Sequence, residues 1–382
     1  PRSGETYCIG LVLSGPCGVH DHGRLLAAEL RQCGLAVHEK WLVNDGHSLR
    51  AAIVAAWRLL ASARRVPRDS AVVWHYSAFA YGFRGVPLLG VLFGLLLRLR
   101  RVRVITFLHE PALRWNRKLG KKAIISLTQW LALQMVVPGS SEVIVTTPRR
   151  IKDLPRRTRP RCVVIPVFSN IAVEPPPPNR ASSSPLLLGV VGYANDGVNP
   201  PLLVEALNRL PSRPGLRVLL LGAPGPASPW GERWRRAAQA AGIGELLEFT
   251  GVVPPHELSR QMSACDLVVF PDEAGPSSRK GTLAAALAHG RPVVAIDGPE
   301  GWPLLIEAGA VHLCTADPAQ LATAIDRLHR DVAARNRLGA AATAFYSQHM
   351  RLELAGAKVV ALMRNATPDC STGHVHGTTA GR

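Results

Sequence analysis

The chain has 382 residues, 47% of them hydrophobic and 19% charged, with a formal net charge of +18. This supports a buried core and, at this length, two domains; it excludes a collagen-like repeat, a heptad coiled coil and a composition-biased disordered chain. The excess charge lies in the first half, where 26 Lys and Arg face 9 Asp and Glu up to Ala172, against 19 and 18 beyond it. A field of that sign attracts lipid headgroups, nucleic acid or acidic polymers, or simply serves solubility. No nucleic-acid recognition motif accompanies it. The seven cysteines are scattered with no Cys-x-x-Cys pair, which argues against a disulfide framework and zinc-site spacing and suits a reducing cytoplasm.

Taken in chain order, "YCIGLVLSG" from Tyr7 opens an apolar strand, and no signal peptide is expected ahead of it. "DHGRLLAAELRQCG" reads as an amphipathic helix ending at Gly34, a suitable C′ residue. "AVVWHYS" and "VRVITFLHE" read as strands, separated by the apolar run Val86 to Val104. The uncharged part of that run stops at Leu97, short of the roughly 20 residues that span a bilayer. It is therefore either a buried helix or an interfacial one whose exit arginines, Arg98, Arg100, Arg101 and Arg103, meet anionic headgroups. "EVIVTT" and "CVVIPVFSN" add two strands. Val173 to Pro185, with four successive prolines and a serine cluster, continues neither element and reads as a linker.

The alternation then restarts. Strands are expected in "LLLGVVG", "LRVLLLG", "LLEFTG", "DLVVFP" and "RPVVAID", and helices in "PPLLVEALNRL", "PWGERWRRAAQAAG", "PHELSRQMSAC" and "GTLAAALAHG". Continuous apolar strands separated by helices predict parallel sheets covered on both faces. The fold class expected is α/β, with two Rossmann-like, doubly wound parallel-sheet domains facing a cleft. The boundaries expected are 1–172 for an acceptor-binding unit, 173–185 for the linker, 186–366 for a donor-binding unit and 367–382 for a disordered tail.

Ligands in such folds sit at loops joining strand ends to helix starts. "DEAGPSSRKG" is one, ahead of a helix beginning near Thr282. Arg279 and Lys280 stand where a helix terminus is already electropositive, so an anion is expected among them. Gly281 allows close approach, while Ser277, Ser278 and Thr282 add hydroxyl donors; a diphosphate is the natural guest. "LLLGVVGYANDGVNP", with Gly192, Asn195, Gly197 and Asn199, and "LLLGAPGP", with Gly222, are weaker loops of the same type. In the first half, "LSGPCGVHDHG" places Gly15, Gly18, His20, Asp21 and His22 after the first strand. His20-x-His22 has ligand chemistry, but no third ligand lies near it in sequence, and no metal site is expected. His109 and Glu110 end a strand and face the cleft, where a histidine can donate to a hydroxyl or carry a proton. "WHYSAFAYGFRGVP", with His75, Tyr76, Tyr81 and Arg84, suits sugar or headgroup contact, or ordinary core packing.

On these motifs the chain resembles a GT-B fold glycosyltransferase of family 4, from about Ile9 to Met363. The run from Gly244 to Ala295 is similar to the family's donor domain, with a Gly-x-Val turn, an acidic strand start, the phosphate loop and "ALAHGRPVVA". "FLHE" resembles its sugar-site histidine segment, and "IPVFSNI" the approach to its linker. Two glutamates eight apart are usual in the family; Ser277 and Ala285 stand there instead. Tyr193 and Val198 lie near its usual arginine and lysine. The "S-x-R-K-G-T" loop matches a subgroup, in which Arg279 and Lys280 would supply that charge from the other side of the diphosphate.

The resemblance implies a nucleoside-diphosphate sugar as donor substrate, retention at the anomeric carbon, and no cofactor or metal. It implies catalytic roles for His109, near the sugar C6 hydroxyl, Arg279 and Lys280. The implied donor site comprises Gly18, His20, Gly192, Asn195, Gly222, Val253, Ser278, Gly281 and Thr282. The expected acceptor contacts are Tyr76, Arg84 and Glu110. A sugar or lipid-linked acceptor, an anionic membrane surface met by the basic first half, and a location on the cytoplasmic face of the membrane complete the expectation.

Overall fold

The fold is described from a computed structural model. It covers residues 5–364 except 14–16, 45–47, 69, 84, 111–119, 175–185, 196, 212–214 and 223. The expected tail, Arg84 and all of the linker after Glu174 lie outside the described residues.

The first unit runs β1 (Thr6–Val12), α1 (Gly18–Gln32), β2 (Val37–Val43), α2 (Leu49–Arg65), β3 (Ala71–Ser77), α3 (Leu88–Leu99), β4 (Arg103–Glu110), α4 (Lys121–Val136), β5 (Glu142–Val145) and β6 (Cys162–Val164). Its strands are parallel, in the order β2-β1-β3-β4-β5-β6. The second unit runs β7 (Leu187–Val191), α5 (Pro200–Asn208), β8 (Arg217–Leu221), α6 (Pro229–Ala240), β9 (Leu247–Phe249), α7 (Pro255–Ala264), β10 (Leu267–Phe270), α8 (Gly281–Ala288), β11 (Val293–Ile296), α9 (Pro303–Glu307), β12 (His312–Cys314), α10 (Pro318–Arg330), α11 (Val332–His349) and α12 (Leu352–Met363). Its parallel order is β12-β11-β10-β7-β8-β9.

Both sheets are doubly wound, because their inner strands are apolar on both faces and must be covered twice. Leu188, Val190, Val218 and Val269 face one core of the second sheet, and Leu187, Val191, Val268 and Val293 the other. The strand order reverses between β1 and β3, and again between β7 and β10. These are the positions where strand-end loops part and leave a crevice. Gly34 has the positive φ of +85° expected after α1, and its N–H returns to the Arg31 carbonyl at 2.9 Å.

Sequence order assigns α12 to the second unit, but α12 packs on the first. Ala355, Val359, Val360 and Leu362 enter a core with Cys8, Leu26, Leu30, Ile105 and Ile144. The Arg103 guanidinium donates to the carbonyls of Leu362 and Met363, closing the helix's open C-terminal end. The chain therefore passes between the units twice, once after β6 and once before α12.

The apolar run forms α3, one face of which is buried and the other exposed; of its exit arginines, Arg100 and Arg103 donate to backbone carbonyls of the protein. Leu89, Gly90, Phe93 and Leu97 are buried, whereas Leu88, Leu92, Leu95 and Leu99 are exposed. The neighbouring helices repeat the pattern. α2 exposes Leu49, Ile53, Val54 and Trp57, and α4 exposes Ile124, Leu127, Trp130, Leu131 and Met135. Because α3 packs beside both α2 and α4, these stripes lie on one side of the sheet. None of the three helices contains an acidic residue. Among the described residues no helix is long and apolar enough to cross a membrane.

Candidate active site between the two sheets

The expected phosphate loop leaves β10 and enters α8 at the reversal point of the second sheet. Its neighbour across that point is the loop after β7. Gly192 there has φ +74°, and a Cβ on it would lie 2.9 Å from Thr282 Oγ1. The Thr282 side chain packs directly on the Gly192 backbone because Gly192 has no side chain. Asn195 keeps its own turn closed, donating from Nδ2 to the Gly192 carbonyl at 2.8 Å and accepting from Gly197 N at 2.9 Å. Gly222, at the end of β8 with φ +87°, donates to Thr250 Oγ1 and accepts from the Tyr193 hydroxyl. Val253 is half-buried just ahead of α7. Tyr193, near the expected arginine position, is wholly buried and its hydroxyl also accepts from Gly225 N at 2.7 Å. It is a brace for two loops rather than an anion ligand.

The two cations are not bare. Lys280, the N-cap residue of α8, is paired with Asp272, whose side chain is 1% exposed. Arg279 reaches Glu300 through Nε and Nη2, each at 2.9 Å. The anions that offset this electropositive helix end are thus two of the protein's own carboxylates, one 8 residues before Lys280 and one 21 residues after Arg279. Asp272 also accepts from Ala274 N at 3.0 Å. Gly197 leaves room for it, since a Cβ there would meet Asp272 Oδ1 at 2.3 Å. Glu300, which the sequence motifs did not single out, arrives from the loop after β11.

Ser278 corrects an expectation. It is fully buried, its hydroxyl donates to the Thr146 carbonyl at 2.7 Å, and its carbonyl accepts from Val167 N at 2.9 Å. It joins the two units, and its hydroxyl is not available to a ligand. Arg149 adds a second join, to the Pro299 carbonyl. Gly281 sits 3.6 Å from Val167 when given a Cβ, so the first turn of α8 lies against the strand ends of the first sheet. Ser277 has a buried hydroxyl with no partner among the described residues. Ala285 is buried inside α8 and faces the core, not a ligand.

On the first sheet, Gly18 begins α1, and its carbonyl accepts from Asn170 Nδ2 at 3.2 Å. His109 ends β4 beside the exposed Glu110, whose carboxylate accepts from the Ser77 hydroxyl at 3.4 Å. Tyr76 is another correction. It is wholly buried, stacked on Tyr81, and packed against Gly90 of α3. Adjacent residues of a strand point to opposite faces. Because His75 points toward α1, Tyr76 points away from it into the core and cannot line the cleft.

The same parity explains a cluster that sequence reading missed. His22, His75 and His109 converge from α1, β3 and β4, with one ring nitrogen of each within 4.8 Å of the others. His75 Nδ1 and His109 Nε2 are 3.0 Å apart. His20 is not part of it and stands edge-on to Trp41, because residues two apart on a helix point in different directions. The rings pack among Phe107 and Phe168. Burial holds all three imidazoles neutral, with His75 pushed down to about 3 and the other two well below the usual range, His109 also by its histidine neighbours.

The architecture is the GT-B type, two Rossmann-like sheets with their strand ends turned toward one another. Residues 185–331, within the second unit, match the family described as "Glycosyl transferases group 1". The chain is 28% identical over 234 residues to the D-inositol 3-phosphate glycosyltransferase of Corynebacterium diphtheriae. That alignment takes in 55% of this chain and 52% of the relative, so the chain spans about half the length of the curated relative. In fold it is similar to sucrose-phosphate synthase from Thermosynechococcus elongatus, with a TM-score of 0.74, 18% identity, and coverage of 94% of this chain and 98% of that one. It is also similar to HepE of Anabaena in complex with UDP, with a TM-score of 0.68, 15% identity, and coverage of 94% and 100%.

Proposed function

We propose that the protein is a glycosyltransferase whose donor is a nucleoside-diphosphate sugar, bound by the second unit, and whose acceptor is bound by the first. The observation that carries this reading is the α8 terminus. It brings free backbone N–H groups, Arg279 and Lys280 to the reversal point of the second sheet, against the strand ends of the first. The family match and the UDP complex of HepE support a diphosphate as the anion. In this reading Lys280 is oriented by Asp272 and stays paired, while the more exposed Arg279 turns from Glu300 to the phosphate. Charge builds on the leaving diphosphate as the glycosidic bond breaks, so fixed donors there favour the transition state over the ground state. His109 meets the transferred sugar, and transfer proceeds with retention.

Ser277 and Ala285, standing where the family has glutamates, favour one rival: a catalytically silent protein that binds nucleotide as a partner subunit. An epimerase is less well supported, because Asp272 and Glu300 are both held in ion pairs. Thermal unfolding with UDP, GDP, ADP, dTDP and CDP tests the donor reading. One nucleotide is expected to stabilise selectively, by about 2.7 kcal/mol at 100 times its Kd. Release of free sugar or its transfer from the matching donor then separates an enzyme from a silent partner. If none of the five shifts the transition, the donor reading fails.

The acceptor side is proposed to lie at an anionic membrane. The exposed stripes of α2, α3 and α4 form an apolar surface edged by exposed Arg50, Arg58, Arg98, Arg101 and Lys122, with no acidic residue on those helices. Large exposed apolar patches edged by cations suit the headgroup boundary. In flotation assays the protein is expected to rise with anionic vesicles at low salt and far less with neutral ones. Trp57→Ser with Trp130→Ser should abolish flotation. Equal flotation by this variant would remove these helices from the contact.

A further inference from the structure

The histidine cluster has no role in the donor reading beyond His109. Both ring nitrogens of His22 are buried and unpartnered among the described residues, as is His75 Nε2. His22 is 1% exposed and lies between Phe168, stacked at 4.1 Å, and Phe107, edge-on at 4.9 Å. A leucine or phenylalanine would fill this space without leaving polar atoms buried and unsatisfied, which is costly. Native interiors keep such groups where an ion or water completes them.

We propose that His22, His75 and His109 form a binding site for a divalent transition-metal ion of the zinc type, with an open coordination position toward the cleft. Three features support it. The ligands are three neutral imidazoles, the donor set that suits Zn²⁺ and its neighbours and not Mg²⁺ or Ca²⁺. The His75–His109 nitrogen separation of 3.0 Å is close to the roughly 3.3 Å between two ligands of a tetrahedral ion with metal–nitrogen bonds of about 2.0–2.1 Å. The third nitrogen, no more than 4.8 Å away, needs to close by about 1.5 Å at most, within reach of a ring rotation of His22. Among the described residues the outer nitrogens of His22 and His75 have no carboxylate or carbonyl of the kind that stiffens many such ligands, so affinity is expected to be about 10–100-fold below that of a fully braced site. Histidine is the shared feature of this site and the proposed sugar site. A metal bound here would take His109 away from a sugar hydroxyl and offer its own open position instead.

The test is binding, not catalysis, so its outcome is independent of the donor reading. An untagged full-length chain with His374→Ala and His376→Ala, which removes the histidine pair of the tail, is titrated with Co²⁺. The expected result is one Co²⁺ per chain with the visible absorption of a four-coordinate ion, bleached by added Zn²⁺. His22→Leu is expected to remove the absorption while keeping the metal-free unfolding temperature at or above that of the parent. His20→Ala is expected to change neither. Absence of a tetrahedral Co²⁺ spectrum from the parent overturns the site and leaves a buried water as the partner of these nitrogens. A spectrum unchanged in His22→Leu overturns it equally.

Discussion

Lys280→Ala is expected to lower the free energy of unfolding by about 3–5 kcal/mol and to abolish nucleoside-diphosphate binding. The stability loss comes from Asp272 rather than from the lysine. Its carboxylate is 1% exposed, and truncating Lys280 leaves it charged, buried and without its cation. Lys280→Ala combined with Asp272→Asn should therefore recover most of the stability, since the amide keeps the shape and removes the stranded charge. It should recover none of the nucleotide binding. Arg279→Ala is the complementary probe. Its pair with Glu300 is nearer solvent, so stability should change by no more than about 1 kcal/mol, while affinity for the diphosphate should fall about 10–100-fold. Urea unfolding and nucleotide titration of the four proteins decide the matter. Lys280→Ala as stable as wild type would show that the buried pair contributes nothing. Unchanged affinity in Arg279→Ala would remove the guanidinium from the anion site.

Acid should destabilise the metal-free protein well before its carboxylates titrate. His75 is held at about 3 and His22 and His109 well below the usual histidine range, all chiefly by burial. Unfolding restores the ordinary value, about 6.5. Above that pH neither state binds the protons and the contribution is constant. Below it the unfolded chain takes them up and the folded chain does not, so stability falls as pH drops from about 6.5 toward 3. The cluster should add up to three protons to the uptake on unfolding. His289, lowered mainly by burial, contributes to the same window, so the difference between wild type and His22→Leu isolates the cluster. That variant should take up about half a proton fewer at pH 6.5 and about one fewer at pH 5. Unfolding free energies with the same pH slope in both proteins would contradict the burial of His22 as an unpartnered neutral ring.

Much of the fold was legible because its inner strands are apolar on both faces, a pattern that only a covered parallel sheet explains. β2 was not. At the edge of its sheet, "VHEKWLV" is largely open to solvent and reads as polar. The α8 loop was legible because glycine, hydroxyls and two cations are contiguous there. Its counter-charges were harder to see, since Glu300 belongs to a different strand-end loop. Parity was the limit on the first sheet. His75 and Tyr76 were grouped by adjacency, although a strand sends neighbours to opposite faces. The same rule, applied to His75 on β3 and to His109 near the bulged end of β4, places both rings beside α1. No spacing rule links them to His22, which lies 53 residues before His75 and joins them only through the sheet order. Of the pair in His20-x-His22, helix geometry allows only one to join.

The return of α12 to the first sheet changes what can be cut and what can swing. The two halves are not separable modules: a fragment ending at the proline-rich linker would leave Leu26, Leu30 and Ile105 beneath an uncovered face, which Val359 and Leu362 close in the intact chain. The chain joins the two units at both crossings, so a change in their relative placement would have to be accommodated at each. The packing of the first sheet beneath the histidine end of β4 thus depends on α12, a helix that reaches it only after the chain has passed through the whole second unit.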